Sequence, residues 1–316
     1  MKILYERPVS AAARWSRRIG RFSAGLLVIT GLAHWLHTVT TPHMIALALL
    51  AAGLATVAAL LGVIGLVRLW QVAAVGGIAA CVGLAYALIP LGVAGYGLYR
   101  FLDRPALTEV STDTTEPPPW IAPPVAAQGW LPRPVVPLAP ERQAEAYPTL
   151  TGRRYDGALD RVFAAVNTVA AASHLKITEE RGTENAAADL EDMPANPDPK
   201  PAPRRRGAPR AAPAGDADPG NVPIPSARPD PGSEILMPGQ RASDILLQGE
   251  WRSPVTAPLT AVPFDVAIRL REEAETTFVD LRVSVRYGPH DLGFGAAYAE
   301  TFLRALDAEL LGIAGS

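Results

Sequence analysis

Outside its apolar part, this chain's best candidates for chemistry are arginines. Residues 264–271 alternate Phe264, Val266, Ile268 and Leu270 with Asp265, Ala267, Arg269 and Arg271. Residues 279–287 do the same with Val279, Leu281, Val283, Val285 and Tyr287 against Asp280, Arg282, Ser284 and Arg286. A period of two predicts half-buried strands and puts the four arginines on one sheet face. Guanidinium groups so gathered grip phosphate or carboxylate through paired N–H donors. Pairing Arg269 with Asp280, or Asp265 with Arg282, according to register, neutralises part of this charge. Two acids against four arginines leave a surplus. The candidate anion site is therefore Arg269, Arg282 and Arg286 with Gly288, Asp291 and Gly293, where strand meets helix and glycines can present backbone N–H groups. The competing reading is cross-strand ion pairing, each pair worth roughly 0.2–1 kcal/mol.

Little else suggests catalysis. Beyond the apolar block there is no cysteine, and the histidines are His174 and His290, the lysines Lys176 and Lys200. No G-x-S-x-G, phosphate loop or H-E-x-x-H occurs. His290 beside Asp291 reads as an acid–base pair, with Arg286 orienting a substrate, or as a helix cap; the cap is favoured because adjacent residues seldom face each other. Glu272 and Glu273 fall in a turn. No catalytic residue, metal site or cofactor is assigned. In the apolar block His34 and His37 lie one turn apart near His43, but no further ligand completes a metal site. They read as interfacial residues beside Trp35.

Positioning these groups is the task of three dissimilar stretches. Between residues 22 and 99 Arg68 is the only Asp, Glu, Lys or Arg. That block excludes a wholly soluble protein, and its length excludes a large transporter, because each span takes about 20 residues. Three transmembrane helices are expected, at 22–39, 44–67 and 72–99, broken at Thr40-Thr41-Pro42-His43 and at Arg68-Leu69-Trp70-Gln71. Pro90 should kink the third. Ala51/Ala55/Ala59 and Ala79/Gly83/Ala87 offer small-residue ridges for close packing. Lys2, Arg7, Arg14, Arg17, Arg18 and Arg21 make residues 1–21 a basic tail, which the positive-inside rule assigns to the cytoplasm. No small-residue cleavage site precedes His43, so the first span reads as an uncleaved anchor. Three crossings deliver the rest to the far side, the periplasm of a bacterial inner membrane. The lone Cys81 excludes a disulfide scaffold, and a net charge of −2 gives no case for nucleic acid.

Residues 100–145 form a proline-rich stalk, with ten prolines between 103 and 140. Residues 146–313 should fold as an α+β domain, an antiparallel sheet with two helices on one face. Its elements are a strand at 147–154, a helix at 156–173, strands at 176–180, 245–252, 264–271 and 279–287, and a helix at 291–310. Leu159, Val162, Phe163, Val166, Val169 and Ala170 share a face of the first helix; Phe294, Tyr298, Phe302, Leu306 and Leu310 stack on the last. Between about 182 and 243, thirteen prolines and the run Arg204-Arg205-Arg206 predict a disordered insertion.

Ser111 through Pro118 (STDTTEPP), Tyr147-Pro148, residues 264–269 (FDVAIR) and residues 282–293 (RVSVRYGPHDLG) resemble the domain-of-unknown-function 1499 family. In that family an asparagine and a basic residue usually follow in the last helix, where Gly295 and Tyr298 stand here. The resemblance implies architecture, often with short membrane blocks ahead of the domain, rather than an activity. The expected function is a non-enzymatic, membrane-tethered domain that binds an anionic ligand (a lipid headgroup or envelope polymer) or an envelope protein partner. Membrane lipids are the expected surroundings and nucleic acid is not a partner. The alternatives are an enzyme working around Arg286 and Asp291, and a structural subunit of a membrane complex.

Overall fold

The computed structural model describes residues 9–124, 126–134, 139–186, 240–241, 243–253, 261–273 and 276–312. The chain opens with three long helices, α1 (Ala11–Trp35), α2 (Thr41–Val72) and α3 (Gly77–Asp103). At 1.5 Å per residue even α1 is about 37 Å long. Small side chains make the packing. Ala51, Ala55, Ala58, Gly62 and Gly65 are buried on α2, and Ala80, Gly83, Ala87 and Pro90 on α3. Facing them on α1 are Ala13, Ser16, Gly20, Ser23, Ala24 and Leu27. A Cβ at Gly83 would collide with Ser16 and the Arg17 backbone, so only glycine lets α1 and α3 approach this closely. Ser16 donates from Oγ to the Ala58 carbonyl at 2.8 Å.

α2 and α3 are long and apolar enough to cross a membrane. The expected third span differs. Its helix begins at Ala11 instead of Phe22 and ends at Trp35, so Arg14, Arg17, Arg18 and Arg21 stand on the helix itself rather than in a tail. Ser10 explains the early start, accepting from the Ala13 N–H as the N-cap. Its own N–H donates to Val75 in the α2–α3 turn.

The domain is an antiparallel sheet of β1 (Glu109–Ser111), β2 (Arg153–Asp156), β3 (Lys176–Arg181), β4 (Ile245–Ser253), β5 (Val262–Glu273) and β6 (Thr276–Val285). Spatial order is β1-β6-β5-β4-β3, and β2 shares the β6 edge with β1. Between the strands come α4 (Pro140–Ala146) and α5 (Leu159–Ala172), and α6 (Phe294–Leu310) follows the last of them. One sheet face, with Phe264, Val266, Ile268, Leu270, Val279, Leu281, Val283 and Val285, packs on Val162, Val166 and Val169 of α5 and on Tyr298, Phe302 and Leu306 of α6. The expected two helices on one face are present. Most of the expected insertion lies outside the described residues.

The stalk region is where the architecture departs most from expectation. Its first part lies over the opposite sheet face. β1 pairs with β6, and Gln143 on α4 brackets Ser111 by accepting from its N–H and donating to its carbonyl. Farther along, Gln248 on β4 exchanges two hydrogen bonds with the backbone of Ala122. Prolines lack N–H groups, so this strap is fastened chiefly through side chains.

Candidate functional site

The register sets Arg269 opposite Asp280 and Asp265 opposite Ser284, selecting one of the two pairings the alternation allowed. The arginines do share one face, and the strap covers it. Arg269 is 1% exposed and donates to Asp113 at 3.0 Å and Asp280 at 2.8 Å. Arg271 meets Asp244 at 2.8 Å and Glu116 at 2.9 Å. Arg282 meets Glu109 at 2.7 Å, donates to the Pro118 carbonyl and lies over the Trp120 ring. Arg286 meets Glu250 at 2.7 Å and is paired with Asp265. The surplus inferred from two acids therefore does not exist. Glu109, Asp113 and Glu116 arrive with the strap, Asp244 and Glu250 with β4 and its approach. Arg269 Nε and Nη1 find no hydrogen-bond partner among the described residues.

The strand–helix junction is likewise occupied. Asp291 is buried and accepts from the N–H groups of Gly293 (2.8 Å) and Gly295 (3.2 Å), capping α6. Burial pushes its carboxyl pKa up, against the opposing pull of these N–H groups. His290 accepts at Nδ1 from the Leu292 N–H (2.8 Å), so its Nε2–H donates to the Arg104 carbonyl (3.1 Å). Neither ring nitrogen is left to act as a base. Leu292 has a φ of 56°; His290 holds its N–H and Arg100 Nε donates to its carbonyl at 2.9 Å. Arg100 also lies 4.5 Å from the centre of the Phe294 ring, and Phe101 stacks on His290 at 4.9 Å. A Cβ at Gly293, at φ 70°, would press on Tyr147 and Arg104, and one at Gly288, at φ 82°, would face Leu131. The junction seats the domain on the last turn of α3.

A second seat joins the domain to the turn between α1 and α2. His34 is buried, with Nδ1 3.0 Å from the Val39 carbonyl and Nε2 3.0 Å from that of Ala261. The interfacial position expected for it becomes a bond to the domain. Trp130 donates to the Pro42 carbonyl at 3.1 Å.

What the sequence did not single out is a cleft of about 560 Å³ between α5, α6 and β4. Val169, Trp251, Phe294, Tyr298 and Phe302 give its apolar walls, and Ser173, His174, Arg252 and Thr301 its polar edge. Trp251 and Tyr298 stack with ring centres 4.2 Å apart. Burial pushes the Tyr298 phenol pKa up, so it stays neutral. Ser173 Oγ donates back to the Val169 carbonyl, Thr301 to that of Ala297, and Arg252 meets Glu250. These three groups are spent on the fold, and among the described residues neither hydroxyl is hydrogen-bonded to His174 as a nucleophile to its base. Among the described residues no group of three His, Cys, Asp or Glu side chains can hold a metal ion. The signal in the sequence was the i+4 aromatic stack of α6, read there as core alone. Comparison with protein-family models, curated proteins and solved structures finds no match for this chain.

Proposed function

We propose that this chain is a membrane-tethered, non-enzymatic binding module whose α5–α6 cleft takes the hydrocarbon chain of a membrane lipid. In this reading all three helices cross the bilayer, the N-terminus is cytoplasmic and the domain stands on the periplasmic side of an inner membrane. The extent of α1 supports the third crossing, since it runs beside α2 and α3 with Ala13 next to Gly65 and His34 near the start of α2. The observation that carries the binding role is the cleft itself: its walls are aromatic and aliphatic, its volume falls in the range of ligand sites, and Phe294 lines it while packing on Arg100 in the last turn of α3. An acyl chain leaving the bilayer beside α3 meets apolar surface at once. The anionic ligand expected on the arginine row is set aside, because those charges are matched by carboxylates. The family resemblance adds a proposed architecture and no chemistry.

The test is photo-crosslinking of the full chain in liposomes with a phospholipid carrying a diazirine on its acyl chain. Labelling of 169–174 and 294–305, reduced at least tenfold by Ala297→Trp, is expected. Label confined to α1–α3 refutes the cleft.

A further inference from the structure

Arg14, Arg17, Arg18 and Arg21 are spaced i, i+3, i+4 and i+7, so they form one stripe on α1, and all four are exposed. The opposite face of the same helix is the one buried against α2 and α3. Among the described residues no carboxylate lies within ion-pair distance of any of the four; Arg18 instead lies 5.5 Å from the Trp15 ring centre. The helix register makes this unusual. Ser16 bonds Ala58, and Ala13 touches Gly65, so Arg21 stands about 16 Å along the bundle from the level of Arg68. Over the levels the stripe spans, α2 exposes Val57, Leu60, Val63 and Ile64. The stripe therefore enters the apolar half-thickness that α2 and α3 define, where arginine persists only by reaching toward headgroups or by drawing an anion down to it.

Along the outer face of α1 the arginines give way to Phe22, Ile29 and Leu32, all exposed. A recess of about 370 Å³ lined by Arg17, Arg18, Arg21 and Phe22 marks the change. Charge below and hydrocarbon above, on one face and within one helix, is the polarity of a phospholipid. We infer that this recess binds the phosphodiester headgroup of an anionic membrane phospholipid, its guanidinium groups gripping the phosphate while the acyl chains run along Phe22 and Ile29. Bidentate N–H pairs suit a phosphate's oxygens, and an anionic leaflet supplies the ligand. A soluble phosphate would gain nothing from the apolar half. This site lies at the opposite end of α1 from the cleft and does not depend on it.

The test uses the full chain taken from nanodiscs of mixed phosphatidylglycerol and phosphatidylcholine into mild detergent, with bound lipid counted by native mass spectrometry. Phosphatidylglycerol is expected to be retained at least tenfold over phosphatidylcholine. Arg17→Gln/Arg18→Gln/Arg21→Gln should erase that preference, whereas Arg68→Gln should leave it within twofold. Excess inorganic phosphate should not displace the lipid. Equal retention of the two lipids by the unaltered chain overturns the inference whether or not the triple variant folds. So does displacement by inorganic phosphate, or recovery of a second protein with an acidic span in place of lipid.

Discussion

Replacing Arg269 by methionine tests whether the arginine face fastens the strap. The side chain is 1% exposed and joins Asp113 on the strap to Asp280 on β6. After Arg269→Met the two carboxylates fare differently. Asp113, at 29% exposure, can turn to water, and its share should be that of a surface pair, below about 1 kcal/mol. Asp280 is 13% exposed and, among the described residues, keeps the Thr112 hydroxyl as its one hydrogen-bond donor, at 3.1 Å. Stranding a buried partner costs about 3–5 kcal/mol; its partial exposure argues for the lower end, about 3 kcal/mol. If that energy is lost from the strap, its local opening becomes easier by about 100-fold, at 1.4 kcal/mol per factor of ten. Hydrogen exchange of peptides covering 109–122 in the full chain reads this directly, with α2 as the unperturbed reference. Adding Asp280→Asn should restore more than 1 kcal/mol, because the stranded charge is gone. Strap exchange within about threefold of the parent would refute the reasoning and return Arg269 to the list of ligand groups.

Gly293→Ala should destabilise the domain by about 2 kcal/mol in urea titration, since a left-handed residue costs roughly 1–2 kcal/mol and the new Cβ would stand 2.9 Å from the Tyr147 hydroxyl. Burial works to raise the Glu250 pKa, but the hydrogen bonds and charges of Arg286 and Arg252 outweigh it and hold the carboxyl below its ordinary 4.5. The Glu250 contribution is therefore complete above the unfolded value and lost as pH falls through the folded one. Near-UV circular dichroism should show an acid transition that Arg286→Gln makes shallower. Asp291 has the opposite sign: its raised pKa means a contribution present at low pH that fades as pH rises through it, so Asp291→Asn, which keeps an accepting oxygen, should flatten that dependence. In the bundle, Gly83→Leu should abolish cooperative thermal unfolding in detergent, whereas Gly92→Leu, which meets only open space, should be neutral.

Local patterning alone was enough for the apolar block, the two amphipathic helices, the alternating strands and the single-sided placement of the arginines. Each of these is a periodicity, a property of neighbours in sequence. The capping role of Asp291 could be read too, although the helix begins at Phe294 instead of Asp291, with Gly293 as N-cap, and Asp291 reaches its first N–H groups from two residues farther out. Contacts across the fold decided the rest. Alternation names the face Arg269 occupies but cannot supply Asp113, which lies far away in the chain, and so the surplus of positive charge was an artefact of counting only the two nearest strands. A proline-rich segment reads as a free stalk because prolines give up backbone donors; it becomes a strap because Gln143 on α4, and Gln248 and the buried arginines on the sheet, bind it. The basic residues before Phe22 read as a tail until Ser16, Gly20 and Gly83 bring α1 against its neighbours. Ion pairs, close backbone approaches and clefts are made by groups that meet only after the chain has folded, and no periodicity encodes them.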